Sequence, residues 1–343
     1  MPISIYIMRV KILLVKMVEE MNEREKLIYL AGYIDCDGCI SIGRHTSLRL
    51  KAYSLNIDIS STSVDIMQWL VRNFHGKVRN GNNPPTTCKP LKQWRVHDRD
   101  AYKLICKVRP YLLLKDQQAE LAISFYQNCV RLKQKGVLRP RWLIAREEAY
   151  YAKMHELNAR GKTNYTTCEV HTKRAIPELT EREKMIYLAS VVDAEGTISI
   201  YHASQPSKNY YAYLLGLIIA NTDTRLIDWL VANYGGWTQW RRYKAKNWKD
   251  IKIWSIGGKK TYRLLKQVRP FLIVKQKQAD LGMEFYRKCI TNRARSQWIK
   301  NKAYEYYLEM KKLNIRGVTD ESAEKPSSSY AWDPGQRTLL SFL

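Results

Sequence analysis

The sequence predicts an α+β protein (α/β in the broad sense) built from two tandem, pseudo-symmetric domains. Each runs α-β-β-α-β-β-α and adds one closing helix. Three observations lead there. One stretch occurs twice: residues 27–42 read LIYLAGYIDCDGCISI and residues 185–200 read MIYLASVVDAEGTISI. Other landmarks recur about 160 positions on, Trp69-Leu70-Val71 as Trp229-Leu230-Val231 and Val108-Arg109-Pro110 as Val268-Arg269-Pro270. Between the landmarks, apolar and polar residues alternate with period two, the pattern of half-buried antiparallel strands. A period this long marks a duplicated domain, since solenoid repeats run about 20–50 residues. The expected division is an N-terminal extension over 1–20, a first domain over 21–160, a linker over 161–180, a second domain over 181–317 and a tail over 318–343.

Each element follows in turn. In the first repeat Leu27, Leu30 and Ile34 make one apolar helix face, while Gly32 and Cys36 make a second, small one. The second repeat matches it with Met185, Leu188 and Val192, and with Ser190 and Ala194. Small residues four apart let another helix come close. Both segments end in acids before a glycine, Asp35-Cys36-Asp37-Gly38 and Asp193-Ala194-Glu195-Gly196. Glycine is an ordinary helix stop. Carboxylates there break a rule, because the negative end of the helix dipole favours cations. Packing the two small faces together would bring Asp37 and Glu195 to one point.

Next come two strands, through Ile40 and Ile42 and through Tyr53, Leu55, Ile57 and Ile59. Ser61-Thr62-Ser63 supplies an N-cap for a helix through Ile66, Trp69, Leu70 and Phe74, which Gly76 stops. Two strands follow at 77–80 and 92–96. Helices at 101–108, from Asp116 through Leu121, Phe125 and Val130, and at 142–158 complete the half.

Composition narrows the partner. Lys and Arg number 58 against 32 Asp and Glu, a net charge of +26 spread along the chain, which points to a polyanion such as nucleic acid. Seven cysteines without framework spacing argue for a reducing compartment. Cys36 and Cys39 are formally C-x-x-C, but their counterparts are Ala194 and Thr197, so Cys36 reads as a packing residue. Residues 1–17 are apolar but broken by Arg9, Lys11 and Lys16, too short and too charged for a membrane span and without the clean cleavage site after a continuous apolar core that a signal peptide needs. The expectation is a mobile extension and no membrane partner.

The repeated stretch resembles the LAGLIDADG motif of homing endonucleases. Residues 30–38, LAGYIDCDG, depart from it at Tyr33 and Cys36. Residues 188–196, LASVVDAEG, depart at Ser190, Val191, Val192 and Glu195, the last keeping a carboxylate. The resemblance covers roughly residues 22–130 and 180–290. It implies saddle-shaped antiparallel sheets over double-stranded DNA, with the motif helices forming the interface above the cleavage site. The implied activity is that of a monomeric, intron-encoded, site-specific double-strand endonuclease cutting a long pseudo-palindromic site. The alternatives are a maturase binding intron RNA, or a DNA-binding regulator that has lost its metals. The implied setting is intracellular: a chloroplast or mitochondrion, otherwise a bacterial or archaeal cytoplasm.

The resemblance also implies roles. Asp37 and Glu195 would ligate Mg²⁺, with Mn²⁺ as a substitute, and backbone near Gly38 and Gly196 would add oxygens. Lys115 and Lys275, in PYLLLK and PFLIVK, would position water or stabilise charge; the other reading is a solvated or phosphate-holding lysine. Ser61 and Asn221 stand where relatives often carry Gln, with helix capping an equal reading for Ser61. Asp35 and Asp193 read as structural. The polar strand faces would read bases in the major groove. In the first half these are Ser41, Gly43, His45, Ser54, Asn56, Asp58, Lys77, Arg79, Gln93 and Arg95. In the second they include Ser199, Tyr201, Gln239, Arg241 and Lys252. Arg242, Lys244, Lys246 and Lys249 would hold phosphates. Opposite Ser54, Asn56 and Asp58 the second half has Leu214, Gly216 and Ile218, which offer only apolar contact or else lie covered by protein.

Overall fold

The computed structural model describes residues 21–47, 50–81, 89–132, 139–159, 178–205, 210–244, 248–290 and 297–315. The extension at 1–20, most of the linker, the tail at 318–343 and Lys246 lie outside them.

The first half opens on α1 (Glu23–Asp37). Asn22 caps it reciprocally: its side chain accepts from Glu25 N at 2.9 Å, and the Glu25 carboxylate accepts from Asn22 N at 3.0 Å. Strands β1 (Gly38–Ser47) and β2 (Leu50–Ser61) follow, then α2 (Val64–Phe74), β3 (Lys77–Asn80), β4 (Lys92–His97), α3 (Asp98–Val108), α4 (Asp116–Phe125) and the closing helix α5 (Arg141–Leu157). The second half repeats this order with α6 (Glu181–Ala194), β5 (Thr197–Gln205), β6 (Tyr210–Asn221), α7 (Thr224–Tyr234), β7 (Trp237–Arg241), β8 (Ile251–Gly257), α8 (Gly258–Val268), α9 (Gln276–Phe285) and α10 (Gln297–Leu313). Thr180 and Glu183 form the matching capping box on α6.

Each half has one antiparallel four-stranded sheet, ordered β1-β2-β4-β3 and β5-β6-β8-β7. Period two decides which face meets the helices. Leu55, Ile57, Ile59 and Trp94 are fully buried under helices, as are Leu215, Leu217, Ile219 and Trp254 in the second half. The alternate residues make a second face open towards solvent. Asn158 and Asn314, just past the closing helices, donate to Ile40 O at 2.8 Å and Ile198 O at 2.9 Å. Those two bonds tie each closing helix to the first strand of its sheet. Among the described residues no helix is long and apolar enough to cross a membrane.

Candidate active centre and nucleic-acid interface

The halves meet along α1 and α6, and the crossing is as tight as small side chains permit. A Cβ on Gly32 would stand 2.1 Å from Ser190 Oγ and 3.0 Å from Tyr187 O. Ser190 is fully buried and donates to Tyr187 O at 2.7 Å. Cys36 and Ala194, one turn further on, are only half-buried as the helices approach the open end. Two tyrosines lock the crossing: Tyr29 OH donates to Asp193 at 2.6 Å and Tyr187 OH to Asp35 at 2.7 Å. At the other end Arg182 pairs with Glu25 at 2.6 Å and Arg24 with Glu183, so the capping glutamates also join the halves. Both arginines are about half exposed, so each pair is worth about 0–1 kcal/mol.

Asp35 and Asp193 are structural, as their hydrogen bonds make plain. Asp35 accepts from the backbone of Leu113, Leu114 and Lys115 at 2.7–3.0 Å. Asp193 accepts from Ile273 N at 2.6 Å and Lys275 N at 2.8 Å. Burial pushes both carboxyls up, and these donors oppose it. Each aspartate thereby fixes the loop that ends in its half's lysine.

Those lysines answer the puzzle of acids at a helix C-terminus. Lys115 Nζ donates to Ile34 O at 2.5 Å and Gly38 O at 2.6 Å; Lys275 Nζ donates to Val192 O at 2.7 Å and Asp193 O at 2.9 Å. The cation the helix dipole calls for arrives from a distant loop. Gly38 O, expected as a metal oxygen, therefore accepts from an ammonium here. The glycines after the helices stop them by contact rather than by a left-handed turn. Gly38 is extended (φ −83°), and what excludes a side chain is contact: a Cβ would lie 2.5 Å from Ile34 Cα, and one on Gly196 2.7 Å from Val192 Cα.

Asp37 and Glu195 emerge at this shared end. Asp37 keeps its tip open to solvent but is walled by protein. Burial raises its pKa, against the pull of Lys275 first and Lys115 second. Glu195 is pushed up to about 7 by burial, with Asp37 adding repulsion and the Asn221 hydrogen bond, Lys115 and Lys275 opposing. Asn221 Nδ2 donates to Glu195 Oε2 at 2.9 Å. Its counterpart Ser61 does otherwise: Ser61 Oγ accepts from Ser63 N at 3.2 Å and turns the chain into α2 without capping it. A cleft of about 520 Å³ beside Glu195 is lined by Lys115, Glu195 and Asn221 among others. Among the described residues no three His, Cys, Asp or Glu side chains are grouped to hold a metal.

The sequence matches no protein-family model and no curated protein. Solved structures do match it in three dimensions. The LAGLIDADG homing endonuclease I-GzeII in complex with its DNA target superposes with a TM-score of 0.61 at 12% identity, over 84% of this chain and 99% of that one. The chain has the LAGLIDADG fold. I-LtrWI bound to target DNA gives 0.59 at 16% identity over 86% and 100%, and the meganuclease I-AabMI bound to uncleaved DNA gives 0.57 at 18% over 84% and 98%. The paired sheets are the saddle of that fold, and α1 and α6 its central helices.

Strand register on the LAGLIDADG saddle places the expected base-reading residues. Ser41, Gly43, His45 and Ser54 lie on the open face of the first sheet, as do Lys77, Arg79, Gln93 and Arg95. Asn56 and Asp58 share that face but are only 4% and 8% exposed. Arg95 pairs with Asp58, and His97 Nδ1 meets Asn56 Oδ1 at 2.9 Å, so both side chains are engaged within the protein. They are not freely presented. In the second sheet Ser199, Tyr201, Gln239 and Arg241 are on the open face. Lys252 is not. It shares parity with Trp254 on the helix-covered face and pairs with Asp228 of α7 at 2.6 Å. The true counterparts of Gln93 and Arg95 are Ile253 and Ser255.

Sequence reading also passed over Arg225. From α7 of the second half it donates to Leu114 O at 2.8 Å and to Asp116 at 3.3 Å, the residues flanking Lys115. A lone Arg after a helix N-cap gives no signal of so distant a partner.

Proposed function

We propose that this chain is a divalent-metal-dependent, site-specific endonuclease that cuts both strands of double-stranded DNA as a monomer. One observation carries the reading: two acids from two pseudo-symmetric helix ends share one centre, with two lysines, at the middle of a saddle on a chain of +26 charge. Asp37 and Glu195 would hold the metal, Mg²⁺ or Mn²⁺. Mg²⁺ suits a centre with so few protein ligands, because it keeps waters and takes substrate phosphate oxygens. When bound, the ion supplies charge neutralisation at the phosphate and a more acidic water.

The chain's own groups divide the remaining work. Asn221 holds Glu195 in one orientation through Oε2. Lys115 and Lys275 stabilise the ionised acids and stand ready for the charge of a phosphate. The open sheet faces position the duplex, and the basic residues around them bind its backbone. Keeping both acids and both lysines speaks against a regulator that has lost catalysis.

A plasmid carrying the intronless flanking locus of the chain's own coding intron, with and without Mg²⁺, tests the reading. Linear product that requires Mg²⁺ and disappears with Asp37→Asn supports it. Binding of that locus without cleavage in either metal would instead favour a regulator.

A further inference from the structure

We propose that the second sheet selects pyrimidines carrying a C5-methyl group, thymine or 5-methylcytosine, whereas the first sheet selects by hydrogen bonds; this rests on the endonuclease reading above. Register lets the open faces be compared row by row. Beside the active centre the first sheet aligns Ser60 with Gln93 and Arg79, and the second aligns Ala220 with Ile253 and Gln239. In the next row the first has Asp58, Arg95 and Lys77, and the second has Ile218, Ser255 and Trp237. One row further Asn56 and His97 face each other in the first, Gly216 and Gly257 in the second.

Along β6 the second face is a built apolar strip rather than a gap, with Ser199, Ser255 and Gln239 on the other strands beside it. The Tyr201 ring lies over Gly216, where a Cβ would come within 2.8 Å of its Cε1. In the first half the sizes are reversed: Gly43 stands at the position of Tyr201, and a Cβ on it would meet Asn56 Nδ2 at 2.8 Å. Leu214 and Ile218 stay half-exposed and Trp237 is 61% exposed. The same strand, β6, buries Leu215, Leu217 and Ile219 on its other side. It is apolar on both faces, a pattern that belongs to strands covered on both sides. The helices cover only one.

Position names the missing cover. β6 ends at Ala220 and Asn221: Ala220 closes the apolar face, and Asn221, of the opposite parity, bonds Glu195, so the strand that carries this face ends at the active centre. A duplex engaged at the acids would lay its major groove along this face. The groove there presents apolar groups only at C5: the methyl of thymine, or that of 5-methylcytosine in place of unmodified cytosine. An apolar surface cannot satisfy the donors and acceptors of the other base edges, so it favours sites where methyls meet it.

The test alters the DNA, so it does not depend on how variants fold. The best-cleaved duplex is selected from a randomised library and remade with deoxyuridine for thymidine in one half-site at a time. Loss of each contacted methyl should weaken binding in Ca²⁺ about three- to fivefold in one half-site and leave the other within about twofold. Leu214→Asn and Ile218→Asn should abolish that sensitivity in the same half, and 5-methylcytosine should replace thymine there better than cytosine does. Equal sensitivity in both halves, none in either, or a selected site with no methylated pyrimidine in the half that these variants affect would overturn the proposal while cleavage of the unmodified site keeps the endonuclease reading. If no duplex is cut at all, it is that reading which fails.

Discussion

The two ends of the central helices carry the same chemistry in different settings. At the α1 end Asp37 is open to solvent, Tyr33 is fully packed beside it, and the counterpart of Asn221 is Ser61, which is occupied with its own turn. At the α6 end Glu195 is half-buried, held by Asn221 and raised to about 7. The lysine loops differ as well. Lys115 lies between Leu114 and Asp116, both gripped by Arg225 from the other half. The position matching Arg225 in the first half is Asp65, an exposed acid that cannot donate to a carbonyl. Duplication has preserved the charges, and divergence has gone into what holds them.

The largest effect should come from the contact that both ends share. Ser190→Leu places extra volume at the Gly32 crossing, where no space remains. Overpacking of this kind costs about 1–3 kcal/mol. Thermal unfolding should shift down by several degrees and cleavage should fall with it, because both acids ride on these helices. Unchanged stability and cleavage would mean the crossing is not what aligns the centre.

Arg225→Gln sharpens the comparison by loosening one loop alone. End-labelled duplex, followed strand by strand, should show cutting of one strand slowed about tenfold more than the other, the worth of one charge-assisted hydrogen bond. Nicked intermediate should accumulate. Equal slowing of both strands would deny Arg225 a selective hold on Lys115.

A smaller effect separates the acids by pH. Glu195 titrates near 7 in the folded metal-free protein and near 4.5 when unfolded. Across that window the folded state keeps a proton that the unfolded state has released, so stability falls as pH rises. Glu195→Gln should remove this slope and leave the metal-free protein about 1–3 kcal/mol more stable than wild type at pH 8. Melting curves from pH 5 to 8 check it, and parallel slopes for the two proteins would contradict it.

Much of this was legible in the sequence because it is periodic or local. The repeat of α1 in α6 located both acids, the small faces at Gly32 and Ser190, and, through the matching prolines, both lysines. What was hidden depends on partners far along the chain. The face of Lys252 cannot be read from spacing, because residues 251–256 read IKIWSI, with apolar residues at both parities. Only pairing of Trp254 with Ile219 fixes the register. Asn56 and Asp58 have the right parity, but alternation cannot foresee that Arg95 and His97 engage them from the next strand. The Tyr29–Asp193 and Tyr187–Asp35 bonds link residues over 150 apart and leave no trace in spacing.

A single centre shared by both halves is tested most directly by strand-resolved cleavage with Asp37→Asn and with Glu195→Gln. Each substitution removes a charge from the one place where both strands would be cut. Either should slow both strands by about 10³-fold or more, with DNA binding in Ca²⁺ retained. If each variant instead stops one strand and leaves the other at the wild-type rate, the acids serve separate centres and the claim is wrong.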